Sequence, residues 1–537
     1  MMSGLSIDLS TRDRVKIAGK MLVGALAERG DGVGEVQIAV KVEESLGNCP
    51  KYLNKKDVKV HVPSPRAVEG DVDGKGAGES SGKSGVLLGR EAVGVVEKAD
   101  MFFLSSTDGS TMDTNHRGGP KGFVRVVRNE KGDVVLAYPE YSGNRLYQTL
   151  GNLRLNPRVG LVIPDFETAD VLYLTGETEL LVGEAASALM PHAKLVVKVV
   201  VREARFVRDG LPFVGEAGEM SPYNPPVRKL AWEEGVVVPG QGEGMGGNVT
   251  LLATATLVRR QILTPSIARL TFQLHPEKGG QPVLRMWKPG QYITLDFSDK
   301  LDHGWSHMRD DDPQSLNDDF VRTFTISSPP PPQSEGQEED VVIVDGTELE
   351  LTVRRHGPAT GLLWRHNTRV PLHLPVLGFG GAESFRIAAA AGGDPKTKAI
   401  FVAAGVGITP LLAQARGVIA GGQDLALLWS LRAEDLPLAV DTFEKIPGLA
   451  KVTRLFVTNL RGADEAARRS MLEKTEVEAV VPRRISREDV LGSTTSTSDN
   501  GGPQTQTKYY LCTGPELHRV LESWLQGQNV VSESFNY

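Results

Sequence analysis

Cysteine is nearly missing from this 537-residue chain, which carries only Cys49 and Cys512. Two thiols cannot form a disulfide framework, and they cannot supply the four ligands of an iron–sulfur cluster or a structural zinc site. No metal site is expected. Long blocks of Lys and Arg are also absent and the net charge is -7, so the chain lacks the electrostatic footprint of a nucleic-acid or anionic-membrane binder. The first residues, MMSGLSIDLSTRDRVKIAGK, place charges where a signal peptide needs an apolar core. No run reaches the roughly 18 apolar residues of a membrane span. A reducing, cytoplasmic setting and small-molecule chemistry are the expectation.

What remains is ordinary globular material, 40% hydrophobic and 24% charged, enough for about three domains. Residues 62–85 and 236–248 are rich in Gly, Pro, Ser and charge and read as linkers, the second marking the main boundary. Asp299 to Asp319 and Pro329 to Asp340 read as long loops, and Ser493 to Thr507 as a low-complexity insertion. A weak internal repeat is present. Asp13 to Gly19 with the following VQIAVKVEESL echoes Asp170 to Gly176 with the following LVVKVVVREAR.

From Thr250 to about Val353, short alternating strands separated by Pro and Gly predict an antiparallel barrel. From Lys398 the pattern changes to strand-then-helix, repeated in AIFVAAGVGITPLLAQARGVIA, LALLWSLRAED and KYYLCTGPELHRVLESWL, as in a doubly wound parallel sheet. In Gly405-Val406-Gly407-Ile408-Thr409-Pro410, glycines that admit a phosphate close to the backbone precede a helix expected near Pro410.

Arg322-Thr323-Phe324-Thr325 preceded by Lys288-Pro289-Gly290-Gln291-Tyr292, then Gly357-Pro358-Ala359-Thr360, Gly405 to Pro410, Cys512 to Pro515 and Glu533-Ser534-Phe535 resemble, in order, the ferredoxin-NADP reductase superfamily. The resemblance implies an FAD-binding barrel followed by a nicotinamide-binding domain. It implies that Arg322 pairs with the flavin phosphate, that Phe324 packs on the isoalloxazine, and that Thr325 bonds near the reactive ring nitrogen. Gly357 and Thr360 would start a helix facing the pyrophosphate, and Gly405, Gly407 and Thr409 would form the nucleotide turn. Ser430 and Arg432 stand where the family selects NADP or NAD, and an Arg there suits a 2′-phosphate. Thr325, Cys512 and Glu533 are the candidate catalytic residues.

Two departures stand out. Phe324 replaces the usual Tyr, and Thr513 separates Cys512 from Gly514 where the family reads Cys-Gly-Pro. Either Cys512 or Thr513 would then lie beside the nicotinamide, and a buried strand cysteine accounts equally well for Cys512.

In the first half, residues 90–235 read as strands with polar turns and one helical stretch, NRLYQTLGNLRLN. Asp113 to Pro120, Gly122 to Val126, Ser142-Gly143-Asn144-Arg145 and Asn156-Pro157-Arg158 resemble the pyridoxamine 5′-phosphate oxidase-like split-barrel family. That resemblance implies FMN held at a helix start by Ser142, Asn144 and Arg145, with Arg125 and Arg117 nearby, and a homodimer through the barrel. Gly47 to Tyr52 resembles the end of an extra split-barrel unit, so that 1–61 would be its remnant.

The expected architecture is a split β-barrel (89–235), an FAD-binding antiparallel barrel (249–390) and a doubly wound nicotinamide-binding α/β domain (395–537). The expected activity is hydride transfer from NADPH or NADH to FAD and onward to a small-molecule or protein electron acceptor, FMN in the first barrel being one candidate. The alternative is an FAD reductase serving a separate partner, the split barrel acting only in binding or dimerisation.

Overall fold

The computed structural model describes residues 1–28, 34–47, 50–68, 85–234, 252–277, 284–302, 309–331, 341–381, 385–387, 397–459, 465–492 and 506–534. The expected linkers and the insertion fall largely outside these residues, as do Cys49 and Phe535. Contacts divide the described chain into two units, the first taking residues up to 234 together with 309–319 and the second 252–302 together with 320–534.

The first unit is built on an antiparallel sheet. Its strands run in the order Met112–Gly118, Met101–Thr107, Arg158–Asp165, Asp170–Val182, Leu195–Arg208, Asp133–Pro139, Arg125–Glu130. β-Branched runs such as VVKVVV favour this pleated surface. Phe102, Phe123 and Tyr138 pack ring against ring in the core beneath it. Helix Arg90–Lys98 buries Ala92, Val95 and Val96, with Glu91 and Lys98 complementing its dipole at opposite ends.

The two echoing stretches lie in different sheets. Both copies fold as long antiparallel hairpins, Arg14–Glu28 with Gly34–Gly47 and Asp170–Val182 with Leu195–Arg208. The early residues join the larger sheet through buried polar pairs. Lys56 Nζ meets Asp100 at 2.7 Å, Lys16 pairs with Asp113, and Leu9 and Leu53 pack against Met101 and Phe166.

The second unit holds a barrel and a parallel sheet. Barrel order is Val321–Thr325, Tyr292–Asp296, His373–Gly380, Ala253–Ile262, Ile267–Pro276, Thr347–Arg354. A single Ile326–Leu351 bridge links the first strand's end to the last strand. Trp287, Phe272 and Phe297 fill the interior.

The parallel sheet runs Ala479–Val481, Thr453–Thr458, Leu425–Arg432, Thr397–Ala404, Gln506–Thr513, Asn529–Ser534. In its central strand Ile400, Phe401, Val402 and Ala403 are all fully buried, as a strand covered on both faces requires. Phe401 and Trp429 lie in one core cluster while Ile400, Val402 and Tyr509 lie in another. Ile267 of the barrel and Phe385 join the first cluster.

Candidate functional site

The order of the parallel sheet reverses at Thr397–Ala404: its successors in sequence add on one side until Ala479–Val481, after which Gln506–Thr513 returns to pair with it on the other. Such a reversal opens a crevice at the carboxyl ends of two adjacent strands, where their following connections diverge. One wall is Gly405–Ile408, a 3-10 turn that leads into the short helix Thr409–Leu412, with a second helix following at Ala415–Ala420. The helix expected near Pro410 therefore begins at Thr409 and is interrupted after one turn. Gly405 has φ +55, a conformation that favours glycine. A Cβ on Gly407 would overlap the carbonyl oxygen of Cys512. The other wall is Cys512 and Thr513, ending in Gly514, which caps helix Pro515–Trp524.

Cys512, Thr513 and Glu533 come together at this end of the sheet, since Cys512 and Glu533 are cross-strand partners. Thr513 Oγ1 and Glu533 Oε2 are buried with no hydrogen-bond partner among the described residues. Burial pushes the Glu533 carboxyl up to about 7. It also pushes the Cys512 thiol well up, with the Glu533 charge adding to the effect, so Cys512 stays protonated where Glu533 titrates. Ser430 is half-buried near the end of its strand, and exposed Arg432 lies 3.4 Å from Glu434.

In the barrel, Arg322, Phe324 and Thr325 lie on one edge strand that pairs with Tyr292–Asp296. Arg322 donates to the Val321 carbonyl at 2.9 Å, and Phe324 meets Phe297 edge-on at 6.1 Å. Thr325 is buried and its hydroxyl has no partner among the described residues, an orphan that suits a bound polar ring. Gly357, at φ +66, precedes helix Pro358–Arg365, and the space a Cβ would take there is open. Thr360 sits in the first turn of that helix, its hydroxyl accepting from His356 N–H at 2.7 Å. An open helix start beside a barrel strand with an unpartnered hydroxyl fits a dinucleotide flavin.

The first unit is less accommodating. Helix Gln148–Leu155 starts beyond Ser142, Asn144 and Arg145, which corrects the expectation that these residues stand at a helix start. Asn144 Oδ1 accepts Leu146 N–H at 3.0 Å, a local turn, and Arg145 at φ +64 cannot continue a helix backward. Ser142 N–H donates to Asn317 Oδ1 at 2.9 Å and its carbonyl accepts from Tyr52 at 2.6 Å. Arg117 pairs with Glu140 at 2.8 Å, and Arg125 with Glu233. Arg117 and Arg125 thus face carboxylates in this structure.

Sequence reasoning missed Arg354, Asp435 and Trp429. Trp429 Nε1 donates to the Gly405 carbonyl at 3.0 Å, and Arg354 pairs with Asp435 at 2.5 Å. No group of three or more His, Cys, Asp or Glu among the described residues could hold a metal, and no described helix is long and apolar enough to cross a membrane.

No family model and no curated protein matches the chain. Among solved structures it is similar to the flavohem-like FAD/NAD-binding domain of nitric oxide dioxygenase from Vibrio cholerae O1 biovar El Tor, at 17% identity over 53% of this chain and 98% of that one, TM-score 0.33. It is similar to a ferredoxin NADP+ reductase from Neisseria gonorrhoeae with bound FAD and NADP, at 14% identity over 52% and 97%, TM-score 0.34. A third is flavohemoglobin from Malassezia yamatoensis with bound FAD and heme, at 18% identity over 53% and 60%, TM-score 0.32. Likenesses of this size assign no family, cofactor or activity to the chain.

Proposed function

We propose that the chain is an NAD(P)H-dependent flavoprotein oxidoreductase whose second unit binds FAD on the barrel and the nicotinamide nucleotide on the parallel sheet. The observation that carries this reading is the crevice between Gly405–Ile408 and Cys512–Thr513, where the strand order reverses. Doubly wound sheets bind nucleotides at that point. Two buried polar atoms with no hydrogen-bond partner among the described residues support it, Thr513 Oγ1 on one wall and Glu533 Oε2 on the neighbouring strand.

FAD, when bound, supplies an acceptor for hydride that can release electrons singly or in pairs. The chain's own groups bind and orient. Arg322 and the helix start at Gly357 and Thr360 would hold phosphates, Phe324 would cover the ring, and Thr325 would donate to or accept from its edge. Gly405, Gly407 and Thr409 would seat the nucleotide phosphates, with Ser430 and Arg432 reading its ribose. Cys512 presents a protonated thiol, and Glu533 holds a proton that it can exchange near neutral pH.

For Arg432 the reading predicts a selective effect. Arg432→Ala is expected to raise the KM for NADPH about tenfold, the loss of one charge-assisted phosphate contact, and to leave that for NADH unchanged. Equal changes for both nucleotides would remove Arg432 from the specificity site.

The pairing of Arg117 with Glu140 and of Arg125 with Glu233 favours a second reading of the first unit, as a binding or dimerisation module with the electron acceptor elsewhere. Flavin released from the purified full chain and quantified separates the two. FAD alone, bleached by NADPH, supports the module. One FAD and one FMN per chain supports an internal relay, and a colourless protein rejects flavin chemistry altogether.

A further inference from the structure

Arg354 ends the last barrel strand, three residues before Gly357, and its guanidinium makes contacts in the other half of the second unit. Nη1 donates to Ser266 Oγ at 2.6 Å within the barrel. Nη2 donates to Asp435 Oδ2 at 2.5 Å, and the same nitrogen stands 3.3 Å from where a Cβ on Gly405 would lie. Asp435 is 1% exposed and precedes helix Leu436–Lys445. Its second oxygen accepts from Thr264 Oγ1 at 3.2 Å, so both oxygens of this buried carboxylate are engaged by barrel residues.

The Gly405 turn is held from two directions. Its carbonyl takes the Trp429 indole N–H from within the sheet, and the Arg354 guanidinium lies beside it from the barrel, 3.3 Å from where a Cβ on Gly405 would stand. A second pair runs parallel to the first, Arg269 Nη1 to Asp441 Oδ2 at 2.6 Å, joining the neighbouring barrel strand to the same helix. These are charge-assisted bonds in a partly desolvated setting, stronger and more directional than exposed pairs. Arg269 bonds the helix body at Asp441, whereas Arg354 bonds the helix start at Asp435 and lies beside the turn.

We propose that Arg354 is a positioning residue: through Asp435 and Gly405 it registers the nucleotide turn of the parallel sheet against the barrel, and so fixes the approach of nicotinamide to flavin. The proposal rests on the reading of the second unit as an FAD- and nicotinamide-binding reductase. Arg354 touches neither reacting group, so its effect is on geometry. Hydride transfer is steep in distance and orientation, and small displacements of a bound reactant cost large factors in rate.

The test is anaerobic stopped-flow reduction of the flavin by NADPH in the full-length holoprotein, comparing wild type with Arg354→Met, Arg354→Lys and Asp435→Asn, alongside flavin content and thermal midpoint. Arg354→Met is expected to retain its flavin and to lower the limiting reduction rate about tenfold or more, with a smaller rise in the apparent Kd for NADPH. Arg354→Lys, which keeps the charge but loses the fork, should recover part of the rate, and Asp435→Asn should resemble Arg354→Met. Wild-type rates in a flavin-loaded Arg354→Met protein overturn the proposal alone. A slow Arg354→Met protein that has shed flavin or lost stability in proportion assigns Arg354 a purely structural role and also overturns it. A wild-type protein that neither NADPH nor NADH bleaches overturns the reductase reading and the proposal with it.

Discussion

Gly407→Ala is expected to slow nicotinamide-driven flavin reduction roughly tenfold to a hundredfold while leaving FAD bound. The added methyl would overlap the carbonyl oxygen of Cys512, with the Cys512 sulfur 3.5 Å away. Neither obstacle is the free end of a flexible chain. Cys512 lies in the buried strand Gln506–Thr513, which pairs with the central strand, so relief requires two buried backbone segments to move apart at the mouth of the crevice. Overpacking of this kind costs about 1–3 kcal/mol. Spent on the nucleotide turn, it corresponds to a loss of roughly tenfold to a hundredfold in nucleotide-dependent rate. Gly417→Ala is the matched control: it sits in helix Ala415–Ala420, its Cβ would meet nothing within 4 Å, and it should be neutral or slightly stabilising. Reduction kinetics with NADPH, together with flavin content, read both variants. Normal kinetics in Gly407→Ala would show that the nucleotide lies elsewhere.

Glu533→Gln is expected to remove a pH dependence of stability. Burial raises the Glu533 carboxyl from 4.5 to about 7, so the folded unit holds a proton that the unfolded chain releases. The contribution is present in full below about pH 4.5 and is lost as pH rises through about 7. The difference amounts to roughly 3 kcal/mol by linkage. Thermal midpoints of the second unit measured from pH 5 to 8 should fall in wild type and stay nearly level in Glu533→Gln. The same substitution should erase any inflection near pH 7 in the rate of flavin reduction. A midpoint that falls with pH equally in both proteins would mean that another group carries the titration.

Much of the second unit was legible because its signals are local. Glycines at Gly405 and Gly357 announce backbone that only glycine adopts easily, and each lies where a strand or loop gives way to a helix. The all-apolar run in Thr397–Ala404 identifies a strand buried on both faces. Long-range pairs leave no such trace. Arg354 and Asp435 are 81 positions apart, and nothing in either neighbourhood distinguishes them from surface charges. The same holds for Trp429, whose indole could have capped any carbonyl.

In the first unit a local signal misled. Asn144 looks like a helix cap, but its side chain closes a turn onto Leu146 and the backbone at Arg145 turns left-handed, so the helix waits until Gln148. The stretch Asp299 to Asp319, polar enough to read as a plain loop, begins within the helix Ser298–Leu301 and contains a 3-10 turn at Pro313–Asn317. Its Asn317 side chain bonds Tyr52 at 2.8 Å and Ser142 at 2.9 Å, a use of polar residues that composition cannot separate from solvation.

The reversal of strand order also sets a timetable for synthesis. Val402 finds Leu511 as its neighbour, so the central strand waits for roughly a hundred further residues, on the order of ten seconds of translation, before its second edge is covered. During that interval Ile400 and Phe401 belong to an open strand edge, the kind of surface that chaperones hold and that nascent chains aggregate through. The crevice forms only once Gln506–Thr513 has paired with the central strand, and a message cut short before Thr513 leaves a half-built sheet without it.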